Sequence, residues 1–98
     1  MSECRPGVDV VAPSQVLNGQ VIIAAPRTPL APNPTLIKSV TIENPSTNAV
    51  VYVGNNGVTA GNGFRLWPGG SVSMDIDDLN KVYVTGTVGN VVSYIAVN

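Results

Sequence analysis

The chain has 98 residues, which fits one domain; 44% are hydrophobic, 11% are charged, none is histidine and the net charge is −1. The few scattered Lys and Arg residues exclude a phosphate-binding stripe, so no nucleic-acid partner is predicted, and no apolar run is long enough to span a bilayer. Typical globular domains carry about 25% charged residues, so the low charge predicts that a partner or further copies cover apolar surface.

The N-terminal third is rich in proline. Residues 1–35 hold six of the eight prolines, a density that excludes helix and restricts pairing in central strands. We therefore expect residues 1–35 to form an extended arm, PPII-like between Ala25 and Pro34. Two short runs in it favour β structure, Val8–Val11 and Gln20–Ala25, and the Asn18-Gly19 turn signal precedes the second run. Either run would pair with its own sheet or with that of a neighbour.

Residues 36–98 predict a compact β meander that forms the core domain. Strands are expected at about ten-residue intervals with turn residues between them, the spacing of a sandwich or barrel-like roll. The expected strand regions are Leu36–Glu43, Ala49–Gly54, Phe64–Trp67, Ser71–Ile76, Val82–Thr85 and Val91–Val97. The one helical candidate, Asp77–Lys81, is too short for more than one turn. The predicted fold is all-β: a small antiparallel β-sandwich or barrel-like roll behind an extended Pro-rich N-terminal arm.

The catalytic inventory is poor, and we expect no enzymatic activity. The chain lacks histidine, the commonest general base near neutral pH. Cys4 is the only cysteine, so no intrachain disulfide can form, and it has no base to activate it. An incidental thiol is the favoured interpretation of Cys4, and an intermolecular or reactive role is the alternative. A small hydrolase or metal-dependent enzyme is disfavoured on these grounds.

Two motifs superficially suggest ion or phosphate binding. Asp75, Asp77 and Asp78 would supply some oxygen ligands for Ca²⁺, but they lack the Gly and distal Glu of an EF-hand. A solvated turn whose carboxylates cap a one-turn helix is the favoured interpretation. The Gly57–Gly63 segment lacks the Lys and following helix of a phosphate-binding loop. A flexible or hairpin loop is favoured there, and no cofactor is predicted.

An Arg-aromatic cluster precedes the Pro68–Gly70 turn. Phe64, Arg65 and Trp67 are residue types that form binding hot spots. The alternative is that Leu66 and one aromatic side chain plug the open end of the sandwich. Strand alternation directs some of these side chains outward, so Arg65 and Trp67 are the interface candidates of the core.

Several segments resemble a small β module of tailed-phage virion proteins. The matching features are Val53–Thr59, Gly63–Gly70, Lys81–Gly86 and Val92–Val97, which together give a strand ending in Val-Gly, a Gly-rich loop, a Leu-x-Pro-Gly turn and a closing Tyr-Ile-Ala strand. Such modules occur as capsid decoration (cement) proteins and in head or tail fibres. The resemblance covers residues 36–98 and implies binding by surface complementarity without chemistry.

The resemblance and the composition together predict a capsid decoration protein. Its expected partner is the major capsid protein, its oligomer a trimer on a capsid threefold axis, and its location the virion surface after synthesis in the host cytoplasm. The chain is expected to be complete from Met1 to Asn98, without a fibre shaft. The predicted interface anchors are Val10, Val11, Ile22, Ile23, Arg65 and Trp67.

The alternative is a receptor-binding module of a head fibre or tail tip. It would bind a host glycan or protein, and exposed aromatic rings would stack against the ligand. The stacking candidates are Trp67, Tyr52, Tyr83 and Tyr94.

Overall fold

The computed structural model of the chain describes residues 15–98, which form two four-stranded antiparallel sheets. The strands are β1 (Val16–Ile22), β2 (Thr28–Pro29), β3 (Ser39–Glu43), β4 (Val51–Gly54), β5 (Phe64–Leu66), β6 (Ser71–Asp75), β7 (Tyr83–Thr85) and β8 (Val91–Val97), and the 3₁₀ helix η1 (Leu79–Lys81) lies between β6 and β7. The predicted all-β class is confirmed. No helix in residues 15–98 is long and apolar enough to cross a bilayer.

The chain passes repeatedly from one sheet to the other. Sheet A has the strand order β1-β8-β3-β6 and sheet B the order β2-β7-β4-β5. This is the arrangement of an eight-stranded jelly roll, in which two Greek keys build a double-sheet sandwich. Within residues 15–98, β4 and β5 are the one pair of consecutive strands that are hydrogen-bonded neighbours. The expected β meander is therefore wrong, because local strand patterns do not encode the crossovers between sheets.

The core lies between the inner faces of the two sheets. Strand alternation buries Val40 and Ile42 from β3 and Val51 and Val53 from β4, while their chain neighbours point outward. The side chain of Leu79, from η1, joins the same cluster. Each fully buried aliphatic side chain of this kind contributes about 1.5–3 kcal/mol relative to exposure. The sandwich is thus held by aliphatic packing, with few aromatic residues.

The described part of the expected arm is integrated into the sandwich. Every residue of β1 pairs with β8, and the side chains of Ile23 and Leu30 are buried in the core. The N–H of Leu30 donates to the carbonyl oxygen of Val82 at 2.9 Å. Packing is therefore continuous across residue 35, and residues 15–35 do not project as an arm. Residues 1–14, which include Val8–Val11, lie outside the described residues.

The Asn18-Gly19 pair lies inside a strand, although the sequence predicts a turn there. Asn18 is opposite Ile95 and Gly19 is opposite Tyr94 in the β1–β8 pairing. A Cβ atom at Gly19 would lie 2.9 Å from the Tyr94 hydroxyl oxygen. A larger residue at position 19 would push aside the Tyr94 ring, which covers the backbone of β1. This tertiary contact, and not a turn, is what the glycine serves here.

Candidate binding surface

An exposed aromatic and basic cluster lies on the outer face of sheet B. Tyr52 and Arg65 are opposite each other in the β4–β5 pairing. Leu66 is buried in the core, so alternation directs Arg65 and Trp67 to the other face. The guanidinium carbon of Arg65 is 5.6 Å from the centre of the Trp67 ring, within cation–π range. We call Tyr52, Arg65 and Trp67 the Arg-aromatic surface.

The Arg-aromatic surface is open to solvent, and no acidic side chain of residues 15–98 forms an ion pair with it. Trp67 exposes 59% of its surface, and Arg65 is exposed as well. Within residues 15–98 the one ion pair joins Lys81 to Asp77 at 2.8 Å. The guanidinium of Arg65 therefore keeps its donors available for an external carboxylate or carbonyl oxygen.

A buried asparagine fixes the backbone beneath this surface. The Asn44 amide nitrogen donates to the carbonyl oxygens of Leu66 at 2.9 Å and Ala49 at 3.0 Å. Its carbonyl oxygen accepts from the Asn48 amide at 2.9 Å. The Asn44 backbone also bonds both glycines of the Pro68–Gly70 turn. The segment that carries Arg65 and Trp67 is thus tied to the loop after β3.

The Gly-rich loop between β4 and β5 folds back over sheet B beside Tyr52. Val58, at 2% exposure, is buried against Gly54 and Gly63, and Nε of Arg27 donates to its carbonyl oxygen at 3.1 Å. The loop joins two strands that pair antiparallel, which confirms the expected hairpin loop.

The three aspartates do not converge on an ion. The carboxylate of Asp78 accepts from the backbone N–H groups of Thr35 at 2.8 Å and Asn80 at 2.9 Å, so it caps η1. These hydrogen bonds, with a smaller contribution from the nearby Lys81 charge, lower the pKa of Asp78. Asp77 pairs instead with Lys81, whose pKa it raises. The capping interpretation is confirmed, and residues 15–98 contain no cluster of three potential metal ligands.

The predicted anchors do not form one surface. Ile22 is 65% exposed on the outer face of sheet A, whereas Arg65 and Trp67 lie on sheet B. Ile23 is 1% exposed and belongs to the core, so its prediction as an interface anchor is corrected: adjacent strand residues point to opposite faces. The remaining two anchors, Val10 and Val11, lie outside the described residues.

The tyrosines differ in accessibility, and one of them lines a groove that the sequence does not predict. Tyr94 is partly buried on the inner face, where it packs against the core, so it is not an open stacking platform. Tyr83 instead lines a groove of about 430 Å³, formed also by Asn55, Asn56, Ile76, Asn80 and Lys81. The sequence contains no local signal for this groove, because its lining comes from two distant stretches of the chain, residues 55–56 and 76–83.

No protein-family model matches the chain, and a search of curated proteins found no similar sequence.

Proposed function

We propose that the chain is a capsid decoration protein of a tailed phage. It is a non-enzymatic structural subunit that binds the outer surface of the head, on the virion, through the Arg-aromatic surface. The observation that carries the proposal is the exposed pairing of Arg65 with Trp67, next to Tyr52, on a rigid sheet. The partner is the major capsid protein.

The chemistry of this surface suits a protein partner. Trp, Tyr and Arg are the residue types that dominate binding energy at interfaces. Trp67 and Tyr52 bring large area with few rotatable bonds, and Arg65 brings several donors without an intramolecular acid among residues 15–98. The hydrogen bonds of Asn44 hold the backbone of this surface in place before binding. Less conformational entropy is then lost on docking.

The fold and the composition are compatible with this role. Jelly rolls are the architecture of many viral capsid and lectin domains, although this is analogy at the level of fold and does not identify a function. The low charge content favours a protein that covers its surface in an assembly. The resemblance of residues 36–98 to virion β modules points in the same direction.

The proposed mechanism is mechanical. A decoration subunit that spans neighbouring capsid proteins adds buried interface, on the order of 1,200–2,000 Å² for a stable contact. Outward pressure on the shell must then break these contacts in addition to those between the capsid proteins. The trimer that the sequence predicts, which would match a threefold axis of the shell, stays a separate prediction, and binding to heads through Arg65 and Trp67 does not require it.

Co-sedimentation with phage heads tests the proposal. Heads are assembled from the major capsid protein of the phage that encodes this chain, in the absence of the chain. They are then mixed with the purified chain. W67A and R65A should each weaken binding roughly thirtyfold, about 2 kcal/mol, because each truncates a hot-spot side chain. V88A, at an exposed valine in the β7–β8 turn, is the matched control. Equal binding of W67A and the wild type would contradict the proposal.

The groove beside Tyr83 favours a second candidate function, recognition of a host-surface glycan. Tyr83 offers a ring face, and Asn56 offers an amide without a hydrogen bond among residues 15–98. Aromatic rings stack against the apolar faces of sugars, and amides bond their hydroxyl groups. Here the chain would act as a receptor-binding module of a head fibre or tail tip.

The two functions separate in one pair of assays. Binding to host cells or their purified surface polysaccharide should be lost in Y83A and N56A and retained in W67A if the groove is the receptor site. Binding to heads should show the opposite pattern if the chain is a decoration protein. Host binding that depends on Tyr83, together with no affinity for heads, would replace the first proposal by the second.

A further inference from the structure

Strand β1 leaves one edge of sheet A open. β1 (Val16–Ile22) pairs with β8 on one side, and within residues 15–98 no strand pairs with its other side. An open edge of seven residues is a template for a further strand. The edge also carries exposed apolar side chains at both ends, since Val16 is 64% and Ile22 is 65% exposed.

The hydrogen bonds to β8 identify the backbone groups that face this edge. The carbonyl oxygen of Gln15 accepts from the N–H of Asn98 at 3.1 Å, and the N–H of Ile23 donates to Asn90 at 2.8 Å. In an antiparallel pair, alternate residues direct both backbone groups to the same side. The odd-numbered residues of β1 therefore bond β8. The N–H and C=O groups that face outward belong to Val16, Asn18, Gln20 and Ile22.

The sequence of β1 is self-complementary about Gly19. Reading outward from Gly19 in either direction gives an amide, then two aliphatic residues, in the heptapeptide Val-Leu-Asn-Gly-Gln-Val-Ile. We infer that β1 pairs antiparallel with β1 of a second copy, around a two-fold axis at Gly19, to form a homodimer. In this register Val16 is opposite Ile22 and Asn18 is opposite Gln20. The outward-facing backbone groups of the two copies then bond each other.

The neighbouring strand extends the same match across the outer face. Val97 lies beside Val16, and Val91 lies beside Ile22, in the β1–β8 pairing. The dimer therefore aligns a row of four aliphatic side chains across each end of the junction. The antiparallel registers that satisfy the same hydrogen bonds but are shifted by two residues oppose an aliphatic residue to an amide, either Val16 to Gln20 or Ile22 to Asn18. The pairing centred on Gly19 is the one that matches apolar with apolar and amide with amide.

The inner face of the edge is also apolar. Leu17 of one copy would lie opposite Val21 of the other, where an apolar groove of about 360 Å³ opens beside β1. Val21, Pro29 and Leu30 are among the residues that line this groove. Leu17 is only partly buried in the single chain, so pairing gives both it and the groove an apolar neighbour.

Solution mass tests the dimer independently of any capsid. The full chain is analysed by size-exclusion chromatography with light scattering at micromolar concentrations. The wild type should have twice the mass of one chain. Q20P should have the mass of one chain, because proline removes an N–H that faces the open edge and not one that bonds β8. Circular dichroism checks that Q20P keeps the fold of the wild type.

Two further variants make the test specific to the edge and to the register. S71P places proline at the start of β6, the opposite edge of sheet A, and should leave the dimer intact. V16K should weaken the dimer at least tenfold, and V16K/I22E should recover it, because the paired register sets opposite charges against each other at both ends.

Three results would overturn the inference. They are a wild type with the mass of one chain, a wild type with the mass of three chains, and a Q20P variant with the same mass as the wild type. A wild type with the mass of one chain is the result expected if residues 1–14 of the same chain, or another protein, occupy the edge. Failure here leaves the proposed binding to heads through Arg65 and Trp67 standing. Likewise, a dimer with no affinity for heads would contradict the proposed function alone.

Discussion

At the scale of single residues, Asn44 combines complete burial with a polar side chain. It is 0% exposed, and its amide serves two carbonyl oxygens and one neighbouring amide. N44A should lower the free energy of unfolding by about 2–3 kcal/mol, because it leaves these buried groups without partners. Urea unfolding followed by fluorescence of Trp67 measures the loss.

Two variants separate the lost hydrogen bonds from a general effect of substitution. N44D keeps the shape but replaces the donors by acceptors that face the carbonyls of Ala49 and Leu66, so it should destabilise at least as much as N44A. N56A removes an exposed asparagine and should change stability by less than about 0.5 kcal/mol. A small loss of stability in N44D would mean that the hydrogen bonds of the Asn44 amide do not hold the turn.

Asp78 makes the stability of the fold depend on pH in a predictable direction. Its carboxylate accepts from Thr35 and Asn80, and these bonds lower its pKa from the ordinary value of about 3.9. A depressed folded-state pKa contributes stability that is present above the unfolded-state value and is lost as pH falls through the folded-state value. The wild type should therefore exceed D78A in stability at neutral pH, and the difference should shrink below about pH 4.

Urea midpoints of the wild type and D78A from neutral to strongly acid pH test this dependence. D75A controls for the removal of a carboxylate that makes no hydrogen bond within residues 15–98. A difference between the wild type and D78A that stayed constant down to the lowest pH would show that the charge of Asp78 does not support the cap.

The alternation of side chains along a strand predicts that neighbouring residues point to opposite faces, but it does not always predict which of them points into the core. It places Leu66 inside and directs Arg65 and Trp67 outward, as observed. For the adjacent pair Ile22 and Ile23 it dictates only that one points inward. Which one does so depends on how β1 lies against β8, and therefore on a contact that joins distant parts of the chain.

At the scale of elements, the β4–β5 loop depends on the absence of a side chain at Gly63. A Cβ atom there would lie 2.7 Å from Cβ of Tyr52 and 2.8 Å from Cγ2 of Val58. G63A should displace the loop from sheet B and cost about 1–3 kcal/mol, the usual penalty of overpacking. Thermal unfolding gives the change in stability. Limited proteolysis detects the displacement, because a displaced loop is cleaved faster than the loop of the wild type.

G61A is the matched control in the same loop. A Cβ atom at Gly61 would meet only the Thr59 hydroxyl oxygen, at an ordinary 3.7 Å. Its effect should be near zero or slightly stabilising, because alanine restricts the unfolded chain more than glycine does. If G61A and G63A destabilised the fold equally, the loss would come from the reduced backbone freedom of the loop. The close packing of Val58 against Gly63 would then not be its cause.

Several elements follow from the local pattern, and others follow from tertiary contacts. β8 has the predicted bounds Val91–Val97, and β6 has the predicted alternation. β3 begins at Ser39 and not at Leu36, which is exposed and forms an isolated bridge to Asp78. β1 contains the Asn18-Gly19 signal for a turn because the Tyr94 ring needs a glycine beneath it. Local propensity cannot register such a contact.

At the scale of the whole molecule, the sequence predicts two layers of strands but not their connections. Its alternating runs are equally compatible with a meander and with crossovers between sheets. The observed orders, β1-β8-β3-β6 and β2-β7-β4-β5, bring the two termini of the described chain together in β1 and β8. This long-range pairing leaves β1 at an edge of the four-stranded sheet A, and the inferred dimer depends on it.

Assembly through β1 links the stability of the whole molecule to its concentration. When a folded dimer unfolds to separate chains, mass action favours the folded state as the chain becomes more concentrated. Each tenfold increase should stabilise the wild type by roughly 1.4 kcal/mol of dimer, which raises Tm by a few degrees for a domain of this size. Q20P should unfold at a Tm that does not change with concentration, whereas S71P should retain the wild-type dependence. Calorimetric scans over a hundredfold range of concentration measure the slope, and a wild-type Tm without any slope would mean that folding of this sandwich is complete in the single chain.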